Sequence, residues 1–286
     1  MGYYELPTVT VGVGTQPPET DGAELDYQAM PEGMATFAMP EIPEPEAVAD
    51  LLAAREVLDD VQSALRDYRV ADPPALFELG DLDTDNLTLV DQILGEGEVS
   101  IVISGQAQIR IQESVLAGLW RVRYLDQDGN LLRDTLEVAD IPGLVRQATF
   151  ATAAEQLVLP DAPLPEGVQN APPLVAELDE KSLACRPGSQ PHVINLTLLP
   201  QTEQDLAFLD QLLGAGSVTI LSRGYGNCRI TSTATRYVWW VQYFNSQDAN
   251  ILNTLEVTDV PAVACAAPED IADSAQRLDE ILEIYR

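Results

Sequence analysis

The stretch Asp91-Gln92-Ile93-Leu94-Gly95-Glu96-Gly97-Glu98-Val99-Ser100-Ile101 returns 119 residues later as Asp210-Gln211-Leu212-Leu213-Gly214-Ala215-Gly216-Ser217-Val218-Thr219-Ile220. The same offset holds without a gap as far as the pair Pro142 and Pro261, with 19 identities in 52 positions. Chance does not hold one ungapped register over so long a stretch, so the sequence contains an internal duplication. Two copies favour two similar lobes, because a solenoid needs at least three repeats.

Each copy begins with a helical pattern that ends at a glycine. Aliphatic residues recur at helical spacing before Gly95 and before Gly214. Both glycines lie where a left-handed residue ends a helix, a conformation that glycine adopts without steric cost. Apolar residues then alternate with polar ones, and a last strand over about 131–138 leads to a helix after Pro142. The sequence therefore predicts an α+β fold with two tandem copies of a helix–antiparallel sheet–helix module.

Four segments are predicted along the chain. Residues 1–46 form an acidic, Pro-rich, largely extended tail, because residues 1–54 carry ten acidic side chains and seven prolines without any Lys or Arg. The tail is either a solubilising segment or an acidic arm for a basic partner. Residues 47–159 form the N-terminal α+β repeat with a leading helix, and residues 193–286 form the C-terminal repeat. Between them, the seven prolines of 160–192 predict an exposed, semi-stiff linker, part of which can form a short helix.

The charge of the chain excludes several classes of partner. It has 46 acidic against 15 basic residues, a net charge of −31, with Lys181 and His192 as the single Lys and His. Nucleic-acid binding is not expected, because it depends on Lys and Arg contacts with phosphates, and an anionic membrane surface also repels the chain. No run of 18 apolar residues and no signal-peptide pattern is found, so we expect a cytoplasmic protein.

The residue types that carry chemistry are few. Cys185, Cys228 and Cys265 lie 43 and 37 residues apart, and His192 is the single imidazole. Zinc and iron–sulfur sites usually have closely spaced ligand pairs, which are not found here. A Ser or Cys nucleophile needs a base, and no suitable context surrounds His192. Among the many carboxylates no pair is singled out. We therefore predict no catalytic residue, no metal ligand, no cofactor and no enzymatic activity.

One strand position distinguishes the two copies. The strand of the first copy places Trp120, Val122 and Tyr124 on one face and Arg121 and Arg123 on the other. Trp240 falls at the position of Arg121, whereas Trp239 matches Trp120. If one face of the sheet is open, these residues form a basic and aromatic patch, the composition of an interface hot spot. The predicted partner-binding residues are Arg121, Arg123, Trp240, His192, Asn195 and Tyr225.

Several strings resemble the HupH/HyaF hydrogenase expression/formation proteins. They are Ile93–Ser100, Gly118–Arg123, Pro191–Pro200, Gly224–Gly226 and Ala267–Leu278. The resemblance implies a chaperone-like accessory factor in the maturation of uptake NiFe-hydrogenase. Its implied partners are a hydrogenase structural subunit precursor, with the Fe–S small subunit favoured, and a thioredoxin-like accessory protein. It carries over no catalytic or metal-binding residue.

Two other functions are weighed against this one. The first is an Fe–S or metal carrier for hydrogenase assembly, which requires that Cys185, His192, Cys228 and Cys265 converge across the two copies. The second is a hydrolase that works through carboxylates, which requires a deep cleft with a close pair of acids.

Overall fold

The computed structural model describes residues 42–105, 108–223 and 227–286, which form helices packed on an antiparallel sheet. The helices are α1 (Pro45–Val48), α2 (Leu52–Asp67), α3 (Thr84–Leu94), α4 (Gly143–Ala148), α5 (Ala171–Ala184), α6 (Glu203–Leu213) and α7 (Pro268–Glu283). The strands are β1 (Ala75–Glu78), β2 (Val99–Ile103), β3 (Gln108–Glu113), β4 (Leu119–Leu125), β5 (Leu131–Val138), β6 (His192–Asn195), β7 (Ala215–Ser222), β8 (Asn227–Thr233), β9 (Val238–Phe244) and β10 (Asn250–Val257). Two 3₁₀ helices are Leu196–Leu198 and Ala262–Ala264. The predicted α+β class is confirmed.

All ten described strands belong to one sheet, in the order β1-β5-β4-β3-β2-β7-β8-β9-β10-β6. At its centre β2 pairs antiparallel with β7, and Ile101 faces Ile220, its own equivalent at the offset of 119. Val102 faces Thr219, the equivalent of Ser100. A local twofold axis therefore passes through the central strand pair. Backbone hydrogen bonds between β2 and β7 therefore join the two similar halves into one continuous sheet.

The two outermost strands of this sheet were not predicted. β1 pairs with β5 at one edge, and β6 pairs with β10 at the other. Each has four residues. So short a segment shows too few alternations for a period of two to be recognised.

One face of the sheet carries Trp120 and its equivalent Trp239, and we call it the Trp120 face. Both indoles are fully buried in a cluster of aliphatic side chains from the central strands. Val145 of α4 and Ala264 of the second 3₁₀ helix belong to the same cluster. The ring of Phe150 also contacts Trp239 edge-on, with centroids 5.6 Å apart. The two connections that follow β5 and β10 therefore cover the middle of this face.

The opposite face carries Arg121, Arg123 and Trp240, and we call it the Arg121 face. Two further apolar clusters lie on it. Helices α2, α3 and α7 cover the first half of the sheet, and α5 and α6 cover the second half. The condition for a basic and aromatic patch, an uncovered face of the sheet, is therefore not met over most of this surface. No described helix is long and apolar enough to span a membrane.

Glycine is required at the start of both halves for two different reasons. Gly95 and Gly214 end α3 and α6 with φ of 54° and 61° and ψ of −161° and 169°, a conformation that is open to glycine but differs from the predicted left-handed helix end. Gly97 lies against the next strand, where a Cβ atom would be 2.2 Å from the carbonyl oxygen of Ser114. A side chain at this position therefore collides with backbone that has no room to move.

The predicted linker contains a helix that packs into the core. α5 buries Leu174, Val175 and Leu178 against the Arg121 face, so this part of 160–192 is not an exposed connection. Its prolines occupy the first turn of the helix, where the missing N–H donors have no intrahelical acceptor. Of the predicted tail, residues 1–41 lie outside the described residues, and the segment boundaries themselves stay predictions.

Candidate functional site

A cavity of about 400 Å³ opens on the Arg121 face, between α3 and the strands β3 and β4. Its walls are mostly polar. The lining residues are Thr88, Asp91, Gln92, Leu94, Gly95, Glu96, Gln112, Ser114, Arg121 and Arg123. Two of the predicted partner-binding residues therefore meet here.

Arg121 forms the back wall of the cavity and is buried. Its Nε and Nη2 donate to the two oxygens of Asp134, at 2.9 and 2.6 Å. Its Nη1 contacts Asp91 of α3. Only 10% of the Arg121 side chain and 6% of the Asp134 side chain are exposed. Arg121 therefore ties the helix to the sheet with its own donors engaged within the chain, and its removal leaves a buried carboxylate unpaired.

Most other polar groups of the cavity are also satisfied within the chain. The Gln112 amide donates to the carbonyl oxygens of Gly97, Val99 and Glu113, at 3.1 to 3.2 Å. The hydroxyl of Ser114 donates to the carbonyl oxygen of Leu116. These contacts hold the turn after α3 against β3, so the shape of the cavity is fixed by the fold.

Arg123 differs from these groups. Its side chain is 43% exposed at the cavity, and the described carboxylate nearest to it is Asp134, at 3.9 Å. Both oxygens of Asp134 already accept from Arg121. Burial and the neighbouring Arg121 lower the pKa of Arg123, against the opposite effect of Asp134 and Glu96. Arg123 is thus the more exposed of the two cations of the cavity, and its described ion pair is the 3.9 Å contact with Asp134.

The equivalent place in the second half is filled. Trp240 occupies the Arg121 position and is buried in the cluster that includes Phe208 and Leu209 of α6. Its indole N–H donates to Asn253, which stands at the Asp134 position. The Trp240 side chain is therefore part of the core of the second half rather than an exposed anchor.

The remaining predicted residues lie elsewhere. His192 is on the edge strand β6, with Nε2 2.7 Å from Glu177 of α5. Asn195 ends the same strand and accepts a hydrogen bond from the backbone of Leu198, as a cap. Tyr225 lies outside the described residues. β6 and β4 are on opposite halves of the sheet, so the predicted set does not form one cluster.

A buried polar cluster at the junction of the two halves was missed. Arg146 of α4 contacts Asp140 at 2.6 Å and also contacts Asp259, the equivalent of Asp140 in the second half. The hydroxyl of Tyr68 donates to Asp140 at 2.9 Å. Burial alone lowers the pKa of Arg146, but Asp140, Cys265 and Asp259 outweigh it and the pKa is raised. The signal available in the sequence was the identity of the two aspartates at the offset of 119.

The cysteines do not converge. Cys228 lies in the cluster on the Trp120 face and Cys185 in the cluster on the Arg121 face. Burial raises the pKa of Cys228 and of Cys265 to about 12, which keeps both thiols protonated. Within the described ranges no three His, Cys, Asp or Glu side chains are grouped as metal ligands. The convergence that a metal carrier requires is therefore not found in this part of the chain.

The acids of the cavity do not form a catalytic pair either. Asp91 is engaged by Arg121, which leaves Glu96 as the second carboxylate of the lining. Glu113 has a pKa raised to about 7, mainly by burial, but it points to the other side of β3 and does not line the cavity. The arrangement of the described residues suits recognition of a polar group more than acid–base chemistry.

Comparisons with known proteins agree on one family. The family model described as HupH hydrogenase expression protein, C-terminal conserved region, matches residues 51–158 and again residues 168–285. The hydrogenase expression/formation protein HoxQ of Cupriavidus necator is 49% identical over 283 residues, covering 99% of this chain and 98% of that protein. HupH of Rhodobacter capsulatus is 45% identical, with 99% and 98% covered. The hydrogenase-1 operon protein HyaF of Escherichia coli is 36% identical, with 84% and 81% covered.

One solved structure is also similar. It is the hydrogenase expression protein HupH from Thiobacillus denitrificans, which is 31% identical to this chain. The match covers 39% of this chain and 92% of that chain, with a TM-score of 0.36.

Proposed function

The chain belongs to the HupH family of hydrogenase expression/formation proteins, and from this premise we propose that it is a non-enzymatic, chaperone-like factor in the maturation of uptake NiFe-hydrogenase. Its substrate in this proposal is the immature Fe–S small subunit, which it binds in the cytoplasm before export. A thioredoxin-like accessory protein acts beside it.

The observation that carries the proposal is the extended similarity to proteins named for hydrogenase expression and formation. The geometry of the described residues is compatible with a binding role. A single sheet of ten described strands carries apolar clusters on both faces, and a polar cavity in its first half opens to solvent. In the proposal, this rigid sheet presents a binding surface to the partner and carries out no chemical step.

The two halves are part of the same proposal. We take them as tandem copies of one helix–sheet–helix module, since α3 and α6, and likewise β4 and β9, begin and end 119 residues apart. The two family-model matches, one in each half, support this view. Arg123 is the predicted interface residue whose exposure fits contact with a partner.

The mechanism of such a factor is differential affinity. A chaperone is released on maturation only if it binds the immature form better than the mature one, since equal affinity shifts no equilibrium. A difference of about 1.4 kcal/mol between the two forms corresponds to a tenfold ratio of dissociation constants.

The experiment compares two forms of one subunit. The purified chain is titrated with the small subunit prepared without clusters and, separately, with the cluster-loaded subunit, while the large subunit serves as the control. We expect at least tenfold tighter binding of the cluster-free form. Equal binding of both forms, or binding of neither, contradicts the proposed function.

A further inference from the structure

The duplication allows the cavity of the first half to be compared with the equivalent place in the second half. The backbone around the cavity occurs twice, but the side chains differ between the halves. The pairs are Thr88 and Ala207, Glu96 and Ala215, Gln112 and Thr231, Arg121 and Trp240, Arg123 and Gln242, and Asp134 and Asn253. In the second half the Trp240–Asn253 pair closes this space. The open polar cavity of the first half is therefore not demanded by the fold.

The chemistry of a ligand for this cavity follows from the hydrogen-bond donors that are not engaged within the chain. The N–H groups of Arg121 and Gln112 donate hydrogen bonds to acceptors within the chain. Arg123 faces the cavity with its nearest described carboxylate 3.9 Å away and already engaged. A guanidinium presents several N–H donors in a planar fork that matches a carboxylate. The exposed donors of Arg123 therefore match a group with two acceptor oxygens, such as a carboxylate.

We propose that the cavity receives an Asp or Glu side chain of the hydrogenase subunit precursor, which Arg123 binds through charge-assisted hydrogen bonds. The inference rests on the proposed function and adds to it the chemistry that the partner presents.

The net charge of the chain favours a carboxylate carried by a protein over a free small anion. At −31 the chain repels dissolved anions. A carboxylate on a partner held by other contacts reaches the cavity at a high effective concentration. Screening at physiological ionic strength, with a Debye length of about 8 Å, confines the unfavourable field to near neighbours. Glu96 and Asp91 are the lining acids, and Asp91 shares the guanidinium of Arg121 with Asp134.

Three variants test the inference, and the second half of the chain provides their design. Arg123→Gln installs the residue found at position 242. Arg121→Trp combined with Asp134→Asn copies the Trp240–Asn253 pair, so the cavity is filled without leaving a buried carboxylate unpaired. Glu96→Gln removes the lining acid that no described ion pair neutralises.

Arg133→Gln is the matched control. It removes the same charge from a residue of the neighbouring strand β5 that lies on the Trp120 face, where its guanidinium contacts the ring of Tyr124. Far-UV circular dichroism and thermal melting of every variant verify folding, and Arg123→Gln keeps the test decisive if the double variant does not fold.

Binding of the cluster-free small subunit is measured by titration calorimetry. We expect Arg123→Gln to weaken binding about 10- to 100-fold, as loss of hydrogen bonds to a charged group implies. The double variant should weaken it at least as much, Glu96→Gln should leave it equal or tighter, and Arg133→Gln should stay within about twofold of the wild type. Unchanged binding by Arg123→Gln, or weaker binding by Glu96→Gln, overturns the inference and leaves the proposed function standing.

A second measurement decides the inference if the wild-type chain does not bind the subunit, which is the failure of the proposed function. N-acetyl-glutamate amide is titrated into the isotope-labelled chain, and the side-chain Nε–H resonance of Arg123 is followed by NMR. A saturable shift that Arg123→Gln and the double variant abolish supports a carboxylate site. No shift at the highest soluble probe concentration, where the ionic strength of the probe itself screens the repulsion by the chain, overturns it.

Discussion

Replacement of Arg146 by methionine tests whether the two halves are held together by charge. Arg146 contacts Asp140 of the first half and Asp259 of the second, with side-chain exposures of 35%, 9% and 18%. Methionine keeps the aliphatic stem and removes the guanidinium. Two aspartates then face each other across the junction without a cation, and the hydroxyl of Tyr68 still donates to one of them.

The expected loss of stability is about 2–3 kcal/mol. Removal of one partner from a buried ion pair costs about 3–5 kcal/mol, because the other charge stays buried and unpaired. Arg146 retains about a third of its side-chain exposure, so water screens part of the interaction and the cost falls below that range. Most of the cost comes from the two carboxylates that stay buried without a cation, because methionine preserves the packing of the aliphatic stem.

The assay is urea unfolding followed by tryptophan fluorescence and by far-UV circular dichroism, with coincident transitions required for a two-state analysis. Arg133→Met is the control, since Arg133 pairs with Glu78 but both side chains are about half exposed, and it should lose at most about 1 kcal/mol. Adding Asp140→Asn and Asp259→Asn to Arg146→Met should restore at least half of the loss. Equal effects of Arg146→Met and Arg133→Met, or no recovery in the triple variant, would refute the reasoning.

Three further variants have expected outcomes. Gly97→Ala should lose roughly 2 kcal/mol or more in urea unfolding, because its Cβ would meet the Ser114 carbonyl oxygen at 2.2 Å, whereas Gly80→Ala meets no atom within 4 Å and should change stability by less than about 0.5 kcal/mol. Glu113 has a folded pKa of about 7, raised mainly by burial, so the stability it contributes should be lost as pH rises from about 4.5 to 7, and Glu113→Gln should reduce the fall in the free energy of unfolding over this range. Burial raises the pKa of Asp205, but backbone hydrogen bonds outweigh it and lower the pKa to about 2. The carboxylate accepts from the backbone N–H groups of Gln169, Asn170 and Ala171 and so caps the start of α5. Asp205→Ala should therefore cost about 2–3 kcal/mol at pH 7, and an effect below about 0.5 kcal/mol would refute this capping role.

The local elements of the fold were predictable because their signals are local. Glycine at position 95 marked the end of α3, and Pro268 marked the first turn of α7. The alternation of Trp120 and Arg121 correctly divided β4 between two faces. Each of these signals needs only a few neighbouring residues.

The pairing of the halves was not predicted, because it depends on contacts between residues more than 100 positions apart. One signal was present in β2, where apolar residues occupy Val102 as well as Ile101 and Ile103, and all five residues of the strand are buried. A strand that is apolar on both sides is typical of the centre of a sheet. Both copies continue from such a strand, which is consistent with their pairing through it.

The sequence predicted the exposure of Arg123 correctly but did not predict the burial of Arg121. An arginine on a strand is ordinarily taken as exposed, because burial of an unpaired charge is costly. Arg121 escapes this rule through Asp134, thirteen residues later, and Asp91, thirty residues earlier, and sequence spacing alone does not show that both reach one guanidinium. Arg123, two residues further along the strand, does follow the rule.

Arg121 and Trp240 can be compared directly because they occupy equivalent positions on the same backbone arrangement. In a protein without a repeat, a polar cavity can simply reflect imperfect packing of the available side chains. Here the same helix, glycine turn and strand are packed twice, and in one case an indole and an amide occupy the space. The first half instead places the buried Arg121–Asp134 pair behind the partly exposed Arg123, and replacement of a buried ion pair by well-packed apolar side chains is often neutral or stabilising. The Arg121→Trp, Asp134→Asn variant tests stability and binding in one molecule: it should melt at or above the temperature of the wild type while it binds the precursor more weakly.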